Sequence, residues 1–290
     1  MPELPEVETI KRGLEQRVLK RTFVDVWTDF KKTIKRPKNF EQFKKSLKDK
    51  RIQSVRRRGK NIILDLSQGM SLLVHQKLTG HLLYGKWRLK SGKWLPLEKG
   101  PLTDPMNRFL HLVFWLDNGD QLALSDLRKF AKVELWKTED LERDEEFKKL
   151  GPEPLERSFD FEKFKAILPK KGKIKQVLMD QNVIAGIGNI YSDEILFEVR
   201  VHPEKDIAKL SEKNLEKIYS ATQDILKKAI KLKGTSISDF RDIEGKKGLF
   251  EKKLKAYRRA GKQCFRCGGV IQRIKVGGRS AHFCLKCQVI

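Results

Sequence analysis

Four cysteines near the C-terminal end place the strongest constraint on how this chain can fold. Cys264 and Cys267 form one C-x2-C pair and Cys284 and Cys287 form another, with sixteen residues between the pairs. Four thiolates at this spacing suit a closed, tetrahedral structural Zn²⁺ site, to which His282 is surplus. The intervening VIQRIKVGGRSAHF predicts two strands around a Gly-Gly turn, so we expect a zinc ribbon. The alternative is a pair of redox disulfides.

Hydrophobic periodicity divides the rest of the chain into a strand-rich part and a helical part. VETIKRGLEQRVL has helical spacing and predicts a first helix over residues 5–19. Short β-rich runs such as NIILDLS and SLLVH follow from Phe23 to Trp136, and they predict an antiparallel sandwich or barrel. After LGPEPL (150–155) several segments carry the 3.6-residue period, and GPEP is typical of an interdomain linker. We therefore expect an α+β multidomain chain.

The charge balance indicates a polyanionic partner. The 290 residues include 63 Lys and Arg against 38 Asp and Glu, which gives a formal net charge of +25. On a chain of this size such an excess favours a nucleic-acid partner over the alternative of a soluble, Lys-rich surface. No apolar run approaches the ~20 residues of a membrane span, and the N-terminus lacks the features of a signal peptide. We therefore expect a cytoplasmic protein.

The chain opens with the acidic, proline-containing stretch MPELPEVETI, which is unexpected in so basic a protein. Removal of Met1 would leave Pro2 with a secondary α-amino group. An α-amino pKa near ~8 leaves far more neutral amine at pH 7 than a lysine pKa of ~10.4 does. Such an amine can attack a sugar C1′ to form an iminium ion, and Glu3 can protonate the leaving group. Taken alone, however, PELPE is explained better as the first turn of a helix.

The stretch NVIAGIGNIYSDEILF (182–197) combines a glycine-rich turn with the start of a helix. Gly186 and Gly188 permit a tight turn, and Asn189 begins the second helix. The backbone N–H groups at a helix N-terminus bind phosphate. An ordinary helical hairpin with a glycine-rich turn explains the same residues, so this motif alone leaves the choice open.

Taken together, three stretches resemble the formamidopyrimidine-DNA glycosylase family. They are PELPEVET, QNVIAGIGNIYSDE and the two C-x2-C pairs with GGRSAHFCLKCQ, and they span the chain in order from Pro2 to Gln288. The resemblance implies a bifunctional DNA glycosylase and AP lyase that everts and removes oxidised purines, such as 8-oxoguanine and formamidopyrimidine, and then cleaves the abasic strand by β,δ-elimination. It implies an N-terminal helix with an antiparallel β-sandwich (1–150), a helix–two-turn–helix domain (151–234), a lesion-covering loop and connector (235–262) and a ribbon with one structural zinc (263–290).

The resemblance also implies roles for individual residues. Pro2 matches the Schiff-base nucleophile, Glu3 the proton donor for base release, and Glu6 the second acidic residue of the same motif. Lys60, in RRRGKNIIL, matches a basic residue near the flanking phosphate that is used in β-elimination; otherwise it would be a solvated member of a basic run. Arg279, in GGRSAHF, matches a phosphate-binding residue assigned to δ-elimination. The other expected DNA-contacting positions are His75, Lys170 and Asn189.

Base eversion leaves a gap in the duplex, and the family fills it with three side chains from two loops. Phe130 and Arg128, in DLRKFA, match two of them, and Leu78, in HQKLTG, takes the position that usually carries Met. Phe130 could instead be an aromatic residue of the sheet core. Ala131 stands where glycine is common, and RFLHLVF lacks a frequent His-Asp-His pattern. TSISDFRDIEGKKGLFEKKL (235–254) resembles the segment that covers the everted base.

Two other functions stay open at the level of sequence. An endonuclease VIII-like enzyme for oxidised pyrimidines would share the nucleophile and the fold, although those relatives tend to begin PEGPE where this chain has Leu4 in PELPE. A non-catalytic zinc-ribbon protein that binds structured nucleic acid would leave Pro2 idle. The expected partner is double-stranded DNA with oxidised bases or abasic sites, bound by a monomer that is associated with a bacterial nucleoid.

Overall fold

The structure, a computed structural model, describes residues 1–237 and 239–289. Ser238, in the expected lesion-covering loop, and Ile290, at the end of the expected ribbon, lie outside the described residues. The described chain divides into two compact units. The first contains Met1–Lys148 and Leu232–Glu251, and the second contains Lys149–Lys231 and the described residues from Lys252 onward. The four-segment division stays a prediction, and it does not anticipate that Leu232–Glu251 belongs with the first unit.

The first unit combines helices with two larger β-sheets and one two-stranded sheet. In chain order its elements are α1 (Leu4–Val18), β1 (Phe23–Thr28), β2 (Ile34–Arg36), α2 (Phe40–Leu47), β3 (Ile52–Arg58), β4 (Asn61–Leu66), β5 (Met70–His75), β6 (His81–Gly85), β7 (Trp87–Lys90), β8 (Lys93–Pro96), β9 (Leu110–Leu116), β10 (Gln121–Ser125), β11 (Lys132–Lys137), α3 (Thr138–Arg143) and α4 (Glu145–Lys148). The predicted first helix is confirmed, since α1 begins and ends within one residue of the expected range.

The two sheets enclose a shared apolar core, which confirms the expected sandwich. One sheet has the strand order β1-β9-β10-β6 and the other has the order β2-β11-β5-β4-β3. Val7, Ile10 and Leu14, spaced at three and four residues, place one face of α1 in this core together with residues of both sheets. The short strand β2 pairs with β11 in parallel, whereas the sequence predicts only antiparallel pairs.

The opposite face of the first sheet is also covered. Val113 of β9 and Ala123 of β10 point away from the shared core and pack with Trp87 and Trp94 of the β7–β8 hairpin. Strand β9 is therefore apolar on both faces, which explains why LHLVFWL is a nearly continuous apolar run rather than an alternating one.

Helix α2 was not predicted, because it lies inside the region that we expected to be all strands. Asn39 caps it by accepting a hydrogen bond from the N–H of Gln42 at 2.9 Å. Phe43 and Leu47, four residues apart, are fully buried against the sandwich core. The signal was present in the sequence as an Asn cap followed by an i, i+4 apolar pair.

The second unit is helical and ends in a two-stranded sheet. Its elements are α5 (Phe161–Ile167), α6 (Ile174–Met179), α7 (Asn189–Glu198), α8 (Glu212–Lys231), β12 (Ile271–Val276) and β13 (Arg279–Cys284). These confirm the four helical segments and the hairpin expected from periodicity. Helix α7 is buried along most of its length because α6, α8 and β13 all pack against it. Among the described residues, no helix combines the length and the apolar character needed to cross a membrane.

Candidate functional site

The start of the chain is buried together with two acidic side chains. Pro2 is buried, and Glu3 and Glu6 are only 2% and 1% exposed. Glu3 is the N-cap of α1, and its N–H donates to Oε2 of Glu6 at 2.8 Å. Glu3 and Glu6 form a capping box, which holds the peptide that precedes the helix in a fixed position.

The terminal amine lies within electrostatic range of several charged groups. In this chain the amine belongs to Met1, and burial lowers its pKa below the ordinary value of 8.0. The carboxylates of Glu3, Glu6 and Asp239 act in the opposite direction, while Lys60 lowers the pKa further. A lowered pKa increases the fraction of neutral amine, which is the nucleophilic form. Removal of Met1 would place the amine on the buried Pro2.

Lys60 and His75 lie beside each other at the ends of neighbouring strands. The side chain of Lys60 is 7% exposed, so Lys60 is not a solvated member of a basic run. The next residue, Asn61, pairs with His75 in the sheet. Burial, followed by the positive charges of Lys77, Lys132 and Lys60, lowers the pKa of His75 to about 3.

The tautomer of His75 follows from its hydrogen bond. Nδ1 accepts the N–H of Lys77 at 2.9 Å, which assigns the proton of the neutral ring to Nε2. His75 can therefore donate a hydrogen bond to an anion without carrying a charge itself.

The two loops that carry the expected wedge residues are joined by Asp126. One carboxylate oxygen of Asp126 accepts a hydrogen bond from the hydroxyl of Thr79, and the other accepts the N–H of Ala131 at 2.7 Å. The N–H of Arg128 donates to the hydroxyl of Thr79 at 3.1 Å. The sequence analysis missed both Thr79 and Asp126. Their only signal was the position of small polar residues in the same two loops.

The expected wedge side chains lie at or near the surface of these joined loops. Phe130 is 56% exposed, so it is not an aromatic residue of the sheet core. Arg128 is exposed and Leu78 is half-buried. An exposed aromatic ring on a braced loop is suited to inserting into a partner.

In the second unit the first residue of α7 contacts the ribbon hairpin. The Nδ2 of Asn189 donates to Oγ of Ser280 at 3.3 Å, and the neighbouring Arg279 is exposed at the turn. Gly277 has a φ of +55°, and a Cβ there would lie 2.3 Å from the amide nitrogen of Gln176. The hairpin turn therefore requires glycine, and it brings Asn189 and Arg279 to the same part of this unit.

A fully buried ion pair attaches the hairpin to α7. Nζ of Lys175 lies 2.5 Å from Oδ1 of Asp193, and neither side chain is exposed. Oδ2 of Asp193 accepts the backbone N–H of His282 at 2.9 Å and lies 2.8 Å from its Nδ1. Both ends of the pair have further partners, as a buried ion pair requires. His282, surplus to the cysteine site, thus belongs to this network.

Glu194 fixes the connector that precedes the ribbon. Its carboxylate accepts the N–H groups of Lys255, Ala256 and Tyr257 at 2.8, 2.9 and 2.8 Å. Burial raises the pKa of Glu194 in spite of these three hydrogen bonds. The sequence analysis singled out neither Glu194 nor the Lys175–Asp193 pair, because partners so far apart along the chain leave no local pattern.

The structure thus gathers the sequence-predicted residues into separate groups, each within one unit. The group at the start of the chain contains Pro2, Glu3, Glu6, Lys60 and His75. The group on the joined loops contains Leu78, Arg128 and Phe130. The group at the ribbon hairpin contains Asn189 and Arg279. Lys170 is exposed in the loop between α5 and α6.

The four cysteines form a cluster that fits one zinc ion. Their Sγ atoms all lie within 4.8 Å of one another, with separations of 3.9 Å for Cys264 to Cys287 and 3.5 Å for Cys267 to Cys284. A tetrahedral zinc with Zn–S bonds of about 2.3 Å requires sulfur atoms about 3.8 Å apart. None of the four is disulfide-bonded. The cluster confirms the expected zinc site over the alternative of two redox disulfides.

Family models match three successive parts of the chain. They are the formamidopyrimidine-DNA glycosylase N-terminal domain over residues 1–133, the H2TH domain of the same glycosylase over 150–241, and a zinc finger found in FPG and IleRS over 261–289.

Curated relatives and solved structures match along the full length. Formamidopyrimidine-DNA glycosylases of Pelotomaculum thermopropionicum and Carboxydothermus hydrogenoformans are each 40% identical, and the alignments cover 99–100% of both chains. Crystal structures of the Lactococcus lactis Fpg with abasic-site DNA and with Fapy-dG DNA are each 36% identical and cover 99% of this chain and 100% of theirs, with TM-scores of 0.86 and 0.85. These matches confirm the predicted family, fold class and enzyme class, DNA glycosylase with AP lyase activity. The chain therefore belongs to the formamidopyrimidine-DNA glycosylase family.

Proposed function

We propose that this chain is a base-excision repair enzyme that removes oxidised purines from duplex DNA and then cleaves the abasic strand. The proposed substrates are 8-oxoguanine and formamidopyrimidine, everted from the helix. The DNA bound in the Lactococcus lactis structures and the net charge of +25 support a DNA partner. Since the curated relatives named above are bacterial proteins, we place the activity at a bacterial nucleoid, with the chain acting as a monomer.

The first step is base release. After removal of Met1, the neutral secondary amine of Pro2 attacks C1′ of the damaged nucleotide, and the C1′–N bond to the base breaks. Glu3 gives its proton to the departing base, so the base leaves as a neutral molecule. The C1′–O4′ bond of the sugar then breaks, and O4′ takes up the proton that the Pro2 nitrogen loses. The opened sugar is held as an iminium ion between Pro2 and C1′. Burial of Pro2 supports this role, because a buried amine favours its neutral form.

The second step is strand cleavage. The iminium ion withdraws electrons from C1′, so a C2′ proton can be removed and the 3′ phosphate can leave in β-elimination. Lys60, buried beside the amine, is the residue proposed to assist this step at the flanking phosphate. Arg279 is proposed to assist δ-elimination, in which the 5′ phosphate leaves. Hydrolysis of the remaining imine restores the amine.

DNA binding is proposed to use the remaining sequence-predicted residues. His75 donates Nε2–H to a phosphate, and Asn189 and Lys170 contribute further phosphate contacts. Phe130 and Leu78 fill the gap left by the everted base, and Arg128 pairs with the base opposite. The four cysteines hold one zinc ion, whose role is structural because four thiolates leave no open coordination position.

The observation that carries the proposal is the burial of Pro2 at the start of the chain, where Glu3, Glu6 and Lys60 are also buried and within electrostatic range of the terminal amine. The test is a panel of duplexes that contain 8-oxoguanine, formamidopyrimidine, thymine glycol, a plain abasic site or no lesion. We expect base release from the two purine lesions and nicking of the abasic site. Preference for thymine glycol would indicate the oxidised-pyrimidine enzyme instead, and binding without cleavage of any duplex would indicate a non-catalytic protein.

A further inference from the structure

Residues 232–236 and 248–250 form two arms of the chain that meet at a narrow neck. The N–H of Leu249 donates to the carbonyl of Leu232 at 2.8 Å, and the N–H of Phe250 donates to the carbonyl of Gly234 at 3.0 Å. The N–H of Gly248 adds a bond of 2.8 Å to the hydroxyl of Ser236. Because these hydrogen bonds join the two arms, a displacement of one arm at the neck would also displace the other.

The carboxylate of Glu6 joins this neck to the start of the chain. Oε2 of Glu6 accepts the N–H of Glu3 at 2.8 Å, as in a capping box, while Oε1 accepts the N–H of Thr235 at 2.7 Å. Thr235 is 229 residues further along the chain, and Glu6 is 1% exposed. The second bond is not needed to cap α1, so one buried carboxylate holds two separate backbone segments together.

Gly234 provides an independent indication that this contact is close. Its φ is +78°, and a Cβ there would lie 2.7 Å from Oε1 and 2.9 Å from Cγ of Glu6. Atoms at these distances overlap, so any side chain at this position would displace the carboxylate or the neck.

The two halves of the loop are anchored differently. The second half is held by Ile243, which is buried in the sandwich core and whose carbonyl accepts the N–H of Tyr84 at 2.7 Å. At the start of the first half, Thr235 is joined to Glu6. Asp239 is close enough to the terminal amine for its charge to influence that amine.

We propose that Glu6 is a positioning residue that sets the distance between the N-terminal amine and Thr235, and thereby places the everted base against the nucleophile. The proposal rests on the proposed function and deepens it. It predicts that the Glu6–Thr235 contact serves base release, in which a base must be held, and not the later cleavage of a sugar that has no base.

The test compares Gly234→Ala, Glu6→Gln and the double variant with a matched control, Gly119→Ala. Gly119 has a φ of +80° and nothing within 4 Å of a built Cβ, so its replacement adds similar backbone strain without touching a neighbour. Each protein is assayed in single turnover for release of 8-oxoguanine and for nicking of a preformed abasic site. We expect Gly234→Ala and Glu6→Gln each to slow base release by roughly tenfold or more, since each weakens a hydrogen bond to a charged group. Abasic nicking should change by less than about twofold in Gly234→Ala.

The double variant distinguishes positioning from direct chemistry. If Glu6 acts through the neck, the double variant releases base no more slowly than the worse single variant, because both changes break the same contact. The proposal would be overturned if the losses in the rate of base release multiplied in the double variant. It would also be overturned if Gly234→Ala released the base at the same rate as Gly119→Ala. An equal loss of base release and abasic nicking would also overturn it.

Hydrogen exchange gives a second readout if Glu6→Gln does not fold. The N–H of Thr235 should exchange faster in Gly234→Ala than in Gly119→Ala, and equal protection would contradict the inferred contact. If the proposed repair function itself is wrong, the unaltered protein will show neither base release nor abasic nicking. That outcome is distinct from any difference between the variants.

Discussion

The low pKa of His75 leads to a measurable dependence of folding stability on pH. In the folded protein this pKa is about 3, because the ring is buried and Lys77, Lys132 and Lys60 surround it. In the unfolded chain it returns to its ordinary value of 6.5. Below pH 6.5 the unfolded chain therefore binds a proton that the folded protein does not. The stability that depends on neutral His75 is fully present above pH 6.5 and is lost as the pH falls towards 3.

The size of this effect follows from the gap between the two values. Each pH unit inside the gap changes the free energy of unfolding by about 1.4 kcal/mol for one proton. Between pH 7.5 and pH 5 the contribution of His75 falls by about 2 kcal/mol. This figure changes little for any folded pKa below about 4, since the ring is then neutral in the folded protein at pH 5.

The assay is urea unfolding of the unaltered protein and of His75→Gln at both pH values. All five tryptophans lie in the first unit, so their fluorescence reports the unit that contains His75. Gln can still accept the N–H of Lys77, so the variant removes the titration while retaining the hydrogen bond. His81 and His202 also have pKa values lowered by burial, and their contributions cancel in the difference between the two proteins.

The unaltered protein should lose about 2 kcal/mol more than the variant on going from pH 7.5 to pH 5. The same pH dependence in both proteins would refute the burial of a neutral His75, and with it the assignment of Nε2–H as a donor to phosphate.

Three further predictions concern catalysis, zinc and DNA binding. Glu3→Gln should nearly abolish release of 8-oxoguanine yet still nick a preformed abasic site; equal loss in both assays would remove Glu3 from base release. Cys284→Ser should lose zinc and show weaker DNA binding and nicking. Arg279→Ala should bind DNA roughly 10- to 100-fold more weakly while retaining zinc. Normal binding and cutting by metal-free Cys284→Ser would show that the ribbon is not needed for DNA contact. In filter binding, the affinity for a lesion duplex should fall steeply as the salt concentration rises. A plot of the logarithm of the association constant against the logarithm of the salt concentration should have a slope of about −0.9 for each neutralised phosphate, and a flat plot would contradict the charge argument.

Local sequence patterns predicted the parts of the fold that depend on neighbours in the chain. Helix α1 followed from 3.6-residue spacing, and the β12–β13 hairpin followed from apolar runs around Gly277 and Gly278. The cysteine spacing predicted the metal cluster because two C-x2-C pairs constrain the geometry of their own backbone. Helix α2 could have been predicted from the same kind of signal, namely its Asn39 cap.

The contacts that build the site join residues far apart in sequence, and no local pattern encodes them. Oε1 of Glu6 finds its partner 229 residues away, and Asp193 binds His282 from 89 residues away. The burial of Lys175 could not be read from its own helix, because it depends on the acidic partner that α7 supplies. The motifs indicated candidate residues, whereas only the packed structure indicates what holds them.

The most direct test of the account is the identity of the residue that bonds to the DNA. The protein is incubated with an 8-oxoguanine duplex and borohydride, which reduces a Schiff base to a stable amine, and the adduct is digested and mapped by mass spectrometry. The account predicts one adduct on the α-amino nitrogen of Pro2, in chains from which Met1 has been removed. An adduct on Lys60 or another lysine, or cleavage of the lesion strand with no trapped adduct, would contradict it.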